Sequence, residues 1–155
     1  MSGGNRDDAR QTDTAGQGIY RDEFTVSEDV IDGNGHVNNV TYVQWMQDVA
    51  IAHFAAVSGV DLMRDLDGAW VARSHHIEYL SPAFAGDRIE ASTWIVSLRR
   101  VRSVRRYAFT RVSDGKTLAR GETEWVFVNA ESGRPTAIPE TIRQIFTLVP
   151  EGCES

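Results

Sequence analysis

Asp32, Gly33, Asn34, Gly35, His36, Val37, Asn38 and Asn39 form one run (DGNGHVNN), the densest polar cluster in the chain. It comes just before the longest apolar stretch, residues 42–57 (YVQWMQDVAIAHFAAV), where apolar residues at 43, 46, 50, 54 and 57 follow helical spacing. The first N–H groups of a helix have no partner within it and form the positive end of its dipole. Such a junction can stabilise a developing oxyanion. Asp32 adds a carboxylate able to attack a carbonyl or activate water. Gly33 and Gly35 would let the backbone turn sharply and approach a ligand. The same residue types also make an ordinary turn and N-cap, so on residues alone both readings stand. A calcium loop starting at Asp32 fails, because Val37 and Val43 occupy the places that need glycine and glutamate.

Other chemistry-bearing residues are scattered. Arg99, Arg100, Arg102, Arg105 and Arg106 make the strongest positive cluster, across an expected hairpin. It reads either as a solvated turn or as a phosphate clamp for coenzyme A or an acidic carrier protein. RNA binding fits less well, since no aromatic residues interleave with those arginines. His75 and His76 are adjacent on an expected strand, so their side chains face opposite ways and cannot chelate one metal; no metal site is expected. Asp48 shares a narrow polar stripe with Gln44 and Gln47. It either faces a pocket or, the simpler reading, pairs with a strand residue. Trp45, Phe54, Trp94, Phe109, Trp125 and Phe127 read as core or interface.

These residues need a scaffold, and the chain has room for one. Its 155 residues suit a single domain, with residues 19–150 as its extent. Residues 1–18 offer almost no apolar surface and read as a flexible arm, with 151–155 as a tail. An apolar fraction of 41% and a charged fraction of 25% are ordinary for a soluble globular chain. The arm lacks the basic-then-apolar order of a secretory signal, and no apolar run is long enough to span a membrane. Cytoplasmic residence without membrane attachment is the expectation. The single cysteine, Cys153, rules out an internal disulfide framework. Sixteen Lys plus Arg against 22 Asp plus Glu, a net charge of −6, argue against generic nucleic-acid binding. Residues 20–26 read as a first strand and 27–39 as a loop, followed by the helix with Gly59 as its stop. Strands over 69–80, 88–99, 104–112 and 117–129 follow. Asp114-Gly115 is a two-residue hairpin signal, and residues 139–146 suit a short helix. The order predicts an α+β fold: a five-stranded antiparallel sheet wrapped around one central helix.

The string DGNGHVNNVTYVQW resembles the signature of hot-dog-fold acyl-CoA thioesterases of the 4-hydroxybenzoyl-CoA thioesterase type. In its Asp-x-Asn-x-His-Val-Asn-Asn run it is also similar to the plant acyl-ACP thioesterases. Downstream, IEYLSPAFAGDRIEAST (77–93) resembles the family's second recurring stretch. The resemblance covers about residues 20–130. It implies a hot-dog domain that pairs into a continuous sheet, as a homodimer or homotetramer. It also implies thioesterase activity on an acyl-CoA or acyl-carrier-protein thioester, with no cofactor beyond the coenzyme A of the substrate. Asp32 matches the family's catalytic aspartate, Asn39 the helix-start N–H that polarises the thioester carbonyl, and Asn34 and His36 the assisting pair of the acyl-ACP enzymes. Gly35 would lie against the substrate. Where the plant enzymes carry an active-site cysteine, this chain has SPAFAG, and residues 40–58 hold no glutamate for the branch that uses one on the helix. The alternatives are an acyl-ACP thioesterase, a non-catalytic acyl-binding module of the same fold, and a dehydratase using His36 and Asp48.

Overall fold

Alternation of buried residues sets the inward face of the sheet, although Trp94 between two of them is buried too, in a small cluster with Ile19 and Val149. Ile89, Ala91, Thr93 and Ile95 are buried on one strand, and Ser103, Arg105, Tyr107 and Phe109 on the next. Side chains two apart share a face, so each strand offers one inward row to a helix. In the computed structural model, which describes residues 18–149, the strands are β1 (Tyr20–Thr25), β2 (Gly68–Tyr79), β3 (Arg88–Leu98), β4 (Arg102–Arg111) and β5 (Thr117–Asn129). They form one sheet in the order β1-β3-β4-β5-β2, every pair antiparallel. β2 is therefore an edge strand, with β5 on one side only.

The long helix α1 (Asn39–Ala56) lies against the inward rows. Its buried residues are Tyr42, Met46, Val49, Ala50 and His53, a single stripe at helical spacing. Met46 is fully buried opposite Gly121 of β5, where a Cβ would come 2.8 Å from the Met46 Sδ. Glycine at that position lets helix and sheet approach closely. Tyr20, Ile89, Phe109 and Leu118 complete the same core. The long apolar stretch suggests a helix buried on most sides, but the chain by itself does not bury it so. Val40 and Ile51 are 72% and 62% exposed, because the sheet covers one face of α1 and leaves the other open.

The five strands, the central helix and their order match the expectation from sequence. Three local features differ. Gly59 does not stop α1. Ser58 turns the chain with φ 71°, and Gly59 opens a short helix α2 (Gly59–Met63) that the sequence reading lacked. The β4–β5 connection is longer than a two-residue hairpin. Arg111 N–H donates to the Lys116 carbonyl (2.9 Å), leaving a loop over residues 112–115 with Gly115 at positive φ. The last helix, α3 (Glu140–Gln144), is shorter than expected. The arm assigned to residues 1–18, Gly18 excepted, and the tail with Cys153 lie outside the described residues. Among the described residues no helix is long and apolar enough to cross a membrane.

Candidate functional site

Asp32 organises the loop ahead of α1. Its Oδ1 accepts the N–H groups of Asn34 (2.9 Å) and His36 (3.2 Å). Its own N–H donates to the His36 carbonyl (2.7 Å), and Gly35 N–H donates to the Asp32 carbonyl (3.0 Å). Ile31 and Val37 pair as an antiparallel bridge, so residues 31–37 form a small closed turn. Val37 N–H donates to the Ala83 carbonyl (2.9 Å), pinning this turn to the segment between β2 and β3. Of the two glycines in the turn, Gly35 is the one with positive φ, at 82°. A Gly35→Ala variant meets no steric obstacle but forces an L-residue into the left-handed region, at a cost of about 1–2 kcal/mol. We expect a matching loss in urea unfolding, with the far-UV spectrum unchanged.

The helix start is built by neighbouring asparagines. Asn38 is the N-cap, and its side-chain oxygen accepts the Val40 N–H (2.9 Å). Asn39 is the first helical residue, where the resemblance places the helix start, so the helix begins at the last residue of the segment read as a loop. Among the described residues no group accepts the Asn39 N–H. The Tyr79 hydroxyl, reaching across from β2, donates to the Asn39 carbonyl (3.0 Å) and fixes this terminus. A cavity of about 240 Å³ opens here, walled by His36, Asn39, Tyr42, Tyr79, Ser81 and Pro82 among others. The buried Tyr42 hydroxyl has no hydrogen-bond partner among the described residues. Burial, then the nearby Tyr79 and Asp87, push its pKa up to about 12, so it stays a donor at neutral pH. Asp32 lies in the turn behind His36 and is not itself part of the cavity wall. Its Oδ2 makes no hydrogen bond within the described residues. Asn34 and His36 are exposed, and the His36 ring meets Phe84 edge-on at 5.4 Å.

Sequence reasoning did not single out Tyr42 or Tyr79 as site residues. The available signal was that both tyrosines fall inside the two family-like stretches. The structure also disperses groups that the sequence collects. The five arginines do not make one phosphate clamp. Arg102 pairs with Glu124 (2.9 Å) and Arg106 with Glu122 (3.0 Å), while Arg105 points the opposite way and is 4% exposed. Strand alternation imposes this split. Arg99 and Arg100 lie beyond the β4 end that starts at Arg102. Arg111, at the other end, donates to the Pro82 carbonyl beside the loop cavity (3.2 Å). Nine strand steps separate Arg102 from Arg111, roughly 30 Å, and five separate Arg106 from it, roughly 17 Å, so neither of these paired arginines reaches this cavity in its own chain. Asp48 pairs with no strand residue. It accepts from Gln44 Nε2 (2.8 Å) on the exposed side of α1. His75 bonds the Thr123 hydroxyl through Nδ1 (2.8 Å), and neither it nor His76 joins the loop.

A second cavity, about 260 Å³, lies between the C-terminal half of α1 and the sheet. Arg105 lines it, with Nη1 donating to His53 Nδ1 (2.9 Å) and Thr93 Oγ1 (3.1 Å). His53 stacks on Tyr20 at 5.5 Å. Burial, then the Arg105 charge, pull its pKa down to about 3. The unfolded chain therefore binds a proton near pH 6.5 that the native state refuses, and stability falls as pH drops through that window. Unfolding free energy should decline by about 1.2 kcal/mol from His53 alone between pH 6 and 5. Urea titrations of wild type and His53→Gln check this, the variant showing the shallower slope.

Sheet order, central helix and capped loop together define a hot-dog domain with its polar turn at the helix start. The model of the thioesterase-like superfamily matches residues 26–146, and the chain belongs to that family. An oleoyl-acyl carrier protein thioesterase of Arabidopsis thaliana is 26% identical over 137 residues, 83% of this chain; the chain spans only 38% of that relative. A 1,4-dihydroxy-2-naphthoyl-CoA thioesterase from Synechocystis superposes with a TM-score of 0.75 at 19% identity, covering 83% of this chain and 95% of that one. A Staphylococcus aureus protein solved in complex with CoA gives a TM-score of 0.75 at 21% identity, over 82% and 80% of the two chains.

Proposed function

We propose that the protein hydrolyses an acyl thioester of coenzyme A or of an acyl carrier protein, using the loop cavity. The observation that carries this reading is the Asn39 N–H, left without an acceptor among the described residues at the positive end of an 18-residue helix, on a residue that lines a polar cavity. The thioester carbonyl oxygen accepts from that N–H, with the Tyr42 hydroxyl as a second donor, and its carbon becomes electrophilic. Asp32 acts through Oδ2. Either it attacks the carbon, expelling the thiolate and leaving an anhydride that water opens, or it takes a proton from an attacking water. Oδ1 stays bonded to the turn and fixes the carboxylate's orientation. Asn34 and His36 flank the entrance and orient water or the leaving group. The scheme uses no metal and no cofactor beyond the substrate's own coenzyme A. Family membership and the superposed thioesterase folds support the reading. Thiol release over a panel of short, long, branched and aromatic acyl-CoA and acyl-ACP thioesters tests it. Turnover on at least one member is expected, and none anywhere on the panel overturns it.

A non-catalytic acyl-binding module is the second reading. It is favoured by the structural use of Asp32 Oδ1 and by the absence of Asp32 from the cavity wall. Tight acyl-CoA binding with no thiol release would select it.

The working unit is a homodimer joined along β2. That strand is twelve residues long, has no partner on one side among the described residues, and leaves Val71 47% exposed, while Ile51 on the open face of α1 is 62% exposed. Such an edge invites strand pairing. A Val71→Lys/Ile51→Asp variant should run as a monomer in light scattering where wild type runs as a dimer. Its thiol release should fall at least tenfold.

A further inference from the structure

The second cavity contains a cation, Arg105, that is 4% exposed and that no carboxylate balances among the described residues. Burying a guanidinium costs several kcal/mol unless charge and hydrogen bonds offset it. The offsets here are neutral. Thr93 accepts through its hydroxyl, and His53 accepts through Nδ1, which requires the uncharged ring. Phe146 adds a face contact, its ring 5.7 Å from the guanidinium carbon. Nη1 is thereby used up. The donors on Nε and Nη2 have no acceptor among the described residues, and Arg105 forms part of the cavity wall. The guanidinium remains charged at neutral pH, since burial lowers its pKa only to about 10.

The rest of the wall is Ala50, Ile51, Phe54, Trp70, Ile95 and Trp125 with little polar surface besides Ser103. Ala50 is eleven residues along α1 from Asn39, roughly 16 Å at the helical rise, so this cavity is distinct from the loop site. An apolar chamber ending in one unspent guanidinium fork fits a ligand with an apolar body and one planar anionic head. A phosphate, with more oxygens to satisfy, would find too few donors here.

We propose that this cavity binds a carboxylate carried on an apolar body, with Arg105 receiving the carboxylate in a two-pronged hydrogen bond. The carboxylate comes either from a free carboxylic acid or from the far end of an acyl chain. The free-acid form of the proposal does not depend on the thioesterase reading.

Calorimetry with octanoate and octanamide, on wild type and Arg105→Met, tests it. Removing a buried unpaired charge in favour of a similar-sized apolar side chain should leave the fold intact, which a melting curve checks. Octanoate should bind wild type at least tenfold more tightly than octanamide, and Arg105→Met should erase the difference. If Arg105→Met does not fold, the octanoate–octanamide comparison on wild type decides alone. A second arm compares thiol release from suberoyl-CoA, which carries a distal carboxylate, with octanoyl-CoA. A tenfold preference for suberoyl-CoA that Arg105→Met abolishes assigns the site to the acyl chain. Octanoate binding without that preference assigns it to a free acid. Equal affinity for octanoate and octanamide, together with no preference between the thioesters, overturns the proposal. If neither thioester is hydrolysed, the binding arm still decides.

Discussion

Asp32→Asn is expected to lower the thiol-release rate by about 10²–10⁴-fold while leaving the melting temperature nearly unchanged. The substitution separates the two uses of this side chain. The amide oxygen can still accept the Asn34 and His36 N–H groups that Oδ1 accepts now, so the turn before α1 survives. What disappears is the negative charge and the second oxygen, the atom left free for chemistry. An amide neither forms the anhydride nor accepts a proton from water near neutral pH. Asp32→Ala removes both uses and should lose stability as well as rate. If Asp32→Asn turns over like wild type, the carboxylate serves the turn alone.

Asn39→Pro is expected to cost about 10²–10³-fold in kcat, the loss typical of removing one oxyanion donor. Proline is unusually well suited to this site. The first helical position tolerates it because its N–H has no helical partner in any case. The preceding residue must be extended, and Asn38 already has φ −62° and ψ 134°. The Asn39 carbonyl that receives the Tyr79 hydroxyl is retained. The substitution therefore deletes one N–H and little else in the backbone. Asn39→Ala, which keeps the N–H, is the control and should stay within a fewfold of wild type. Comparable losses in both variants would shift the role from the backbone to the asparagine side chain.

The scaffold was largely legible in the sequence. Alternation over residues 88–93 and 102–109 reports strands with one inward row, and the apolar stretch after the asparagines reports one long helix. The β4 alternation also held the key to the arginines. Arg105 shares its phase with Tyr107 and Phe109, which are buried, whereas Arg102 and Arg106 have the opposite phase. Linear proximity hid that split. The turn before α1 was legible in its Asp, Asn and Gly residues, whereas the helix start near Asn39 came from the resemblance, since the apolar stretch itself begins only at Tyr42. The long-range parts of the site were not. The Tyr79–Asn39 contact spans forty residues, and Arg105–His53 spans fifty-two. Neither spacing leaves a local pattern. His53 interrupting an apolar helical face was the one visible hint of the second cavity. The end of α1 was misread because Gly59 looks like a stop, while Ser58 adopts the left-handed conformation that glycine usually takes.

The central claim is that a carboxylate and a helix-start N–H converge on one thioester carbon. A crystal structure with an acyl-CoA ketone analogue, in which a methylene replaces the sulfur, tests it most directly. The account predicts the ketone oxygen within hydrogen-bond distance of the Asn39 N–H, and Asp32 Oδ2 either about 3–3.5 Å from the carbonyl carbon or hydrogen-bonded to a water at that distance from it. A ketone bound away from Asn39, or an Asp32 carboxylate turned from it with both oxygens held by the loop, would contradict it.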